Sequence, residues 1–183
     1  KRGFQTIDNA VRQSIKIVKD AKRGIRNVLP TVWPRLNRNL LGGLQKGKMY
    51  VIAGRPGVGK SAFSNQLIFD VLDANQNKNV VVLYWSFEMP GYQQIMRTVS
   101  NNPIYFHNIP KDMEFIKKVN VDVFNEHPGA TVVNLYDHSR LISGEGESEL
   151  HRLNVVSKTC MWLQSKMGVI NILLSQLNRN IEQ

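Results

Sequence analysis

Near the start of the chain Ile7, Val11, Ile15, Val18 and Ile25 recur at helical spacing, with Thr6 or Asp8 placed to cap the first turn and Gly24 to end it. This spacing predicts a short amphipathic helix with one apolar stripe. Such a helix is marginal alone, so its stripe needs a dock on its own domain or on another subunit. Further along, the apolar positions change character: Met49 to Ala53, Val80 to Trp85, Ala130 to Tyr136 and Val169 to Leu174 are nearly continuous runs. Runs of that kind fit strands of a parallel sheet buried on both faces. Asn134 interrupts one of them with no reason visible in the sequence. A shorter strand is expected at Ile104 to Ile109, and helices at about 62–69, 92–100, 112–126 and 148–166. Strands alternating with helices predict an α/β fold with a mainly parallel sheet flanked by helices. Leu29-Pro30-Thr31 and Trp33-Pro34 break regular structure before a turn at Lys46-Gly47, so this segment reads as a connector.

Between the first strand and its helix lies Gly54-Arg55-Pro56-Gly57-Val58-Gly59-Lys60-Ser61, followed by Ala62. It fits the phosphate-cradling pattern G-x-x-x-x-G-K-[ST] in the strand-to-helix context that pattern requires. The glycines let backbone N–H groups turn inward around phosphates, and the new helix presents its positive end. Lys60 adds a point charge, and the Ser61 hydroxyl is suited to Mg²⁺. The chain is expected to bind a nucleoside triphosphate with Mg²⁺.

Composition narrows the remaining choices. With 183 residues, 42% of them hydrophobic, there is chain for one domain with a core and some appendages. A single cysteine, Cys160, excludes a disulfide framework and reads as buried filler. No run of 18 apolar residues and no signal-peptide pattern occurs, so a soluble, cytoplasmic protein is expected. Because the sequence opens on Lys1 rather than Met, it is expected to start inside a longer protein or after processing. The net charge of +10 is carried by residues 1–48, where twelve Lys and Arg face only Asp8 and Asp20. That basic arm suits nucleic-acid phosphates, an acidic neighbouring subunit, or simply solvent.

In parallel sheets ligands collect at the carboxyl ends of strands, and four such ends carry polar groups: Lys60/Ser61, Glu88, Asp137 and Gln176. Asp137 is placed to hold Mg²⁺ through its water shell. Glu88 can polarise an attacking water or cap the helix after it. Gln176, an uncharged donor and acceptor, can sense the γ-phosphate.

Taken in order, Leu41-Gly42-Gly43-Leu44-Gln45-Lys46-Gly47, the phosphate loop through Phe63, Ser86-Phe87-Glu88-Met89-Pro90, Tyr136-Asp137 and Ser175-Gln176-Leu177-Asn178-Arg179 resemble the motor domain of DnaB-type replicative DNA helicases. The resemblance runs from about Gly24 to the last residue. It implies a RecA-like core in a homo-oligomer, six subunits forming a hexameric ring on single-stranded DNA, with primase or a helicase loader as further partners and no membrane. It implies Lys60 and Ser61 at the phosphates, Ser61 and Asp137 at Mg²⁺, Glu88 as catalytic base and Gln176 as γ-phosphate sensor. On this basis residues 1–26 are a basic linker helix and connector, docking on the adjacent subunit, and 27–183 a C-terminally incomplete ATPase domain.

Three departures accompany the resemblance. Family members carry a longer helical stretch where Ser100-Asn101-Asn102-Pro103 joins two motifs here, so a break in the structure is expected near 100–104. The DNA-contacting loops and the arginine finger would lie beyond Gln183. Tyr136-Asp137-His138-Ser139-Arg140 differs from the usual Asp-Tyr-Leu type, pointing to a divergent member of the kind phages encode. The functional expectation is ATP hydrolysis driving translocation and duplex unwinding. The rivals are a RecA-type recombinase and a non-enzymatic, ATP-gated adaptor, against which the pairing of Glu88 with Asp137 speaks.

Overall fold

The computed structural model describes residues 6–22, 27–86, 104–107, 112–137 and 149–177. Five strands form one wholly parallel sheet: β3 (Met49–Gly54), β4 (Val80–Ser86), β5 (Ile104–His107), β6 (Thr131–Asp137) and β7 (Ile170–Gln176). Their spatial order is β3-β7-β6-β4-β5. Helix α3 (Lys60–Asp73) carries the chain from one side of the sheet to the other. Helices α4 (Met113–Glu126) and α5 (Glu149–Met167) precede β6 and β7 respectively as the chain works back toward β3.

Strand alternation sorts the core into two clusters. Val81, Leu83, Trp85, Val132, Tyr136 and Leu173 pack on one face with Ile116 of α4 and Cys160 and Leu163 of α5. Val80, Val82, Tyr84, Val133, Leu135 and Ile172 pack on the other with Leu67, Ile68 and Val71 of α3. Because side chains alternate with a period of two, Asp137 shares the α3 face with Val133 and Leu135, and Gln176 shares it with Ile172 and Leu174. The sequence thus delivers both polar strand ends to the helix that begins with Lys60 and Ser61.

One strand departs from its sequence reading. Strand β3 is not buried on both faces: Met49 is 39% and Val51 57% exposed, while Tyr50 and Ile52 pack toward α3. The reason is position, since among the described residues β3 is an edge strand paired only with β7.

The connector is also more regular than Pro30 and Pro34 suggest. Pro34 opens a helix, α2 (Pro34–Asn39), at the first turn, where a missing N–H costs nothing. The short strands β1 (Val28–Leu29) and β2 (Leu44–Gln45) pair antiparallel across it. Buried Leu29 and Leu44 anchor this hairpin on the α3 side of the core.

Helix α1 (Ile7–Lys22) forms where its spacing predicts. Thr6 caps it, its hydroxyl accepting from the Asn9 N–H at 3.3 Å, while Asp8 accepts from Arg12 Nε at 2.9 Å along the helix. Its stripe is exposed, Ile7 to 85% and Val18 to 54%. Among the described residues no helix is long and apolar enough to cross a membrane. The expected helix at 92–100, Gly24, Ile25 and His138 lie outside the described residues, as does all but Ile104 of the break expected near 100–104.

Candidate functional site

The turn from β3 into α3 is built on two left-handed glycines, Gly57 at φ 76° and Gly59 at φ 90°. Gly59 is the N-cap of α3 and offers no side chain to cap it, and the first turn of the helix holds no acidic residue. The helix N–H groups and the positive end of the dipole are therefore turned toward the loop without a protein counter-charge from that turn. A Cβ built on Gly57 or Gly59 would meet nothing within 4 Å. The space in front of them belongs to a cavity of about 430 Å³ lined by Pro56, Gly57, Gly59, Lys60, Ser61, Ala62 and Gln176. Lys60 Nζ donates to the carbonyls of Gly54 at 3.0 Å and Arg55 at 2.9 Å, which holds the ammonium inside the loop.

Facing this loop, Asp137 ends β6 with only 2% of its surface exposed. Ser61 Oγ donates to Asp137 Oδ1 at 3.2 Å, and Tyr84 lies 3.3 Å from Oδ2 through its hydroxyl. Half-buried Gln176 is paired in register with Gly54, and the next N–H, from Leu177, donates to the Gly54 carbonyl at 3.1 Å. The chain thus brings Lys60, Ser61 and Gln176 to one cavity, with buried Asp137 behind it and joined to it through Ser61. Glu88 lies outside the described residues, as do Asn178 and Arg179. The strand leading to Glu88 ends at Ser86, directly opposite Asp137 in the β4–β6 ladder.

The donor set also says which cation would fit. Among the described residues no group of three or more His, Cys, Asp or Glu side chains converges. A hydroxyl and a single carboxylate offer only hard oxygens and few of them, which suits Mg²⁺, a cation that keeps several waters and takes the rest of its ligands from phosphates. The cradle, the open space before it and this donor pair fit a Mg²⁺-bound triphosphate.

Three features of the site's foundation escape a reading of the sequence. The hydroxyl of Tyr84 reaches both Asn65 Oδ1, at 2.7 Å, and Asp137. On the opposite face of the sheet, Asn134 makes all four hydrogen bonds an amide has to offer: Oδ1 accepts from Trp85 Nε1 at 2.9 Å and Asn120 Nδ2 at 3.3 Å, and Nδ2 donates to Asn120 Oδ1 at 2.8 Å and Asn171 Oδ1 at 3.1 Å. Asn171 continues the network, accepting from the Tyr136 hydroxyl at 3.3 Å and donating to the Cys160 carbonyl at 3.3 Å. This explains the polar interruption in β6. The signal in the sequence is a pair of asparagines inside two apolar strands, and their meaning depends on a register in which Asn134 sits beside Asn171.

The model for the DnaB-like helicase C terminal domain matches residues 28–123, more than half of the chain. The chain belongs to this family. Among curated DnaB-like relatives it is 26% identical to the replicative DNA helicase DnaC of Bacillus subtilis (strain 168) over 216 residues, covering 98% of this chain and 46% of that protein. It is 25% identical to the replicative DNA helicase DnaB of Geobacillus stearothermophilus over 189 residues, covering 85% of this chain and 40% of that protein. The chain therefore spans less than half the length of these relatives. The Bacillus subtilis alignment is longer than the chain's own 183 residues, so that DnaB-like relative holds residues without a counterpart here.

Solved structures agree on the fold. The ATPase domain of another protein superposes with a TM-score of 0.80 at 21% identity, covering all of this chain and 74% of that one. A DnaB-like replicative helicase, solved in a study of its interactions with primase, gives 0.79 at 21% identity, covering 97% and 51%. The RecA-like α/β core expected from the motif order is the fold observed.

Proposed function

We propose that this chain is the ATPase motor of a replicative DNA helicase, hydrolysing ATP at the subunit interfaces of a hexameric ring and using the energy to move along single-stranded DNA and unwind duplex. The observation that carries the reading is the meeting of Ser61 and Asp137 at the mouth of the glycine loop. Two polar groups from distant parts of the sequence converge where a phosphate-bound cation has to be held, inside a family of helicases.

In this reading the backbone of Gly54-Arg55-Pro56-Gly57-Val58-Gly59 and the first turn of α3, through Ala62, wrap the phosphates. Lys60 sets a positive charge against the β- and γ-phosphate oxygens. Ser61 and Asp137 hold Mg²⁺, which when bound neutralises charge developing on the phosphoryl oxygens. Glu88 orients and deprotonates the attacking water, and Gln176 reads the γ-phosphate at the end of β7 and passes its presence into the segment after Leu177. Residues 1–26 form a separate linker whose exposed stripe, Ile7, Val11, Ile15 and Val18, docks on the neighbouring subunit, with 27–183 as the ATPase domain. Primase or a loader is the further protein partner.

The deciding measurement is steady-state ATP hydrolysis by the full-length protein, with and without single-stranded DNA, at two protein concentrations. Stimulation by DNA that grows with protein concentration is expected of intersubunit sites. Tight ATP binding with flat, negligible hydrolysis would overturn the motor reading.

A further inference from the structure

Tyr84 is buried to 3% exposure in the core face under α3, a position where phenylalanine would pack as well. A buried phenol needs partners for its hydroxyl. Here the oxygen stands 2.7 Å from Asn65 Oδ1 on α3 and 3.3 Å from Asp137 Oδ2 on β6. The other oxygen of the same carboxylate, Oδ1, accepts from Ser61 Oγ at 3.2 Å. Ser61 and Asn65 are four residues apart on α3 and so lie on one helix face. The phenol has one proton for these two oxygens; given to Asp137 Oδ2, with the Asn65 amide turned so that its Nδ2 donates to the phenol oxygen, it holds the carboxylate at its second oxygen through β4 and α3, while Ser61 of α3 holds the first.

We infer that Tyr84 is a positioning residue for the cation side of the nucleotide site. By engaging Oδ2, its hydroxyl fixes the plane of the carboxylate and leaves Oδ1 turned toward Ser61, the partner with which Asp137 shares Mg²⁺ in the function proposed above. The inference rests on that reading of Ser61 and Asp137. It adds that their geometry is set by β4 and α3 together, so the strand leading to Glu88 also helps to hold the carboxylate opposite its own end. Partners that orient a ligating carboxylate typically change metal affinity by about 10- to 100-fold when removed. A single neutral hydroxyl at 3.3 Å belongs at the low end of that range.

The test is a Mg²⁺ titration of fluorescent-ATP binding to the full-length protein, run beside nucleotide binding in EDTA and thermal unfolding. Tyr84→Phe keeps the ring and removes only the hydroxyl. It should raise the Mg²⁺ concentration at half-maximal binding by about tenfold while leaving binding in EDTA within about twofold. In an Asp137→Asn background the same change should have no further effect on the Mg²⁺ midpoint, as expected if Tyr84 acts through that carboxylate. A midpoint within about twofold of wild type, an equal loss in EDTA, or an undiminished effect in the Asp137→Asn background would each overturn the inference. If Tyr84→Phe does not fold, Asn65→Ala cuts the same relay at its helix end and should shift the midpoint in the same direction; an unchanged midpoint there overturns it equally. Wild-type binding that ignores Mg²⁺ would remove the cation reading itself, and the inference with it.

Discussion

Ser61 Oγ and Asp137 Oδ1 stand 3.2 Å apart although 76 positions of sequence separate them. Nothing local enforces that distance. It follows from the parallel pairings that put β6 next to β7 and β7 next to β3, and from the strand parity that turns Asp137 toward α3. Asp137→Asn keeps the shape and removes the charge. ATP turnover should fall by at least about a hundredfold, and the Mg²⁺ needed for nucleotide binding should rise, because metal stabilisation of transferring phosphoryl oxygens is worth several kcal/mol. A turnover assay across a Mg²⁺ series checks both; near-wild-type values would separate Asp137 from the chemistry.

Glu88 is tested by an isosteric change. Glu88→Gln should bind nucleotide as wild type does and nearly abolish turnover, since the amide can still orient a water but cannot take its proton. Equilibrium binding and steady-state hydrolysis on the same preparation distinguish the two steps. Turnover within about threefold of wild type would remove Glu88 from the mechanism, that factor being far smaller than the roughly 10²- to 10⁴-fold typical of general-base loss.

Asn134 is the keystone of a wholly buried polar network. Asn134→Val fills similar space but removes the acceptor that Asn134 offers Trp85 Nε1 and strips partners from Asn120 and Asn171, so unfolding should become easier by about 3 kcal/mol. Chemical denaturation reads this directly. Adding Asn171→Val should cost less than the two single changes together, because groups in one network do not contribute additively.

The amount of this fold visible in the sequence tracks how local each signal is. The phosphate loop, the apolar runs and the stripe of α1 are short-range patterns, and the elements form where those patterns lie. The edge position of β3 was not legible, because Met49 to Ala53 reads the same whether one neighbour strand or two flank it. The helix α2 was hidden by Pro34, which breaks a helix interior but opens a first turn. Asn134 stands out in the sequence without a reason, and Tyr84, Asn120 and Asn171 do not stand out at all, because each does its work between elements and sequence carries no register between β4, β6, β7 and the helices packed on them. Of the polar strand ends, Lys60, Ser61 and Gln176 line one cavity and Asp137 meets Ser61 behind it, while Glu88 lies outside the described residues.

Cys160 gives a pH-dependent signature. Burial pushes its thiol from an ordinary 9.0 up to about 12, and burial likewise raises the Tyr136 hydroxyl. The folded protein therefore keeps a proton that the unfolded chain releases above about pH 9. This contribution to stability is complete below that value and is lost progressively as pH climbs toward about 12. Denaturation midpoints measured between pH 8 and about 11 should fall more steeply for wild type than for Cys160→Ala. At pH 8 a thiol reagent should modify Cys160 only after denaturant is added.

The alternation of side chains along β6 has an evolutionary corollary. Asp137 and Asn134 sit three positions apart and so belong to opposite faces of one strand, each answerable to a different helix layer. Point substitutions can rework either layer without touching the other, which lets a lineage drift in its interior while its chemistry stays put. A single inserted or deleted codon between them has no such freedom. It would exchange the two faces for everything beyond it, carrying the carboxylate into the asparagine layer unless a bulge absorbed the change, so inheritance through this strand proceeds by replacement far more readily than by a one-residue change in length.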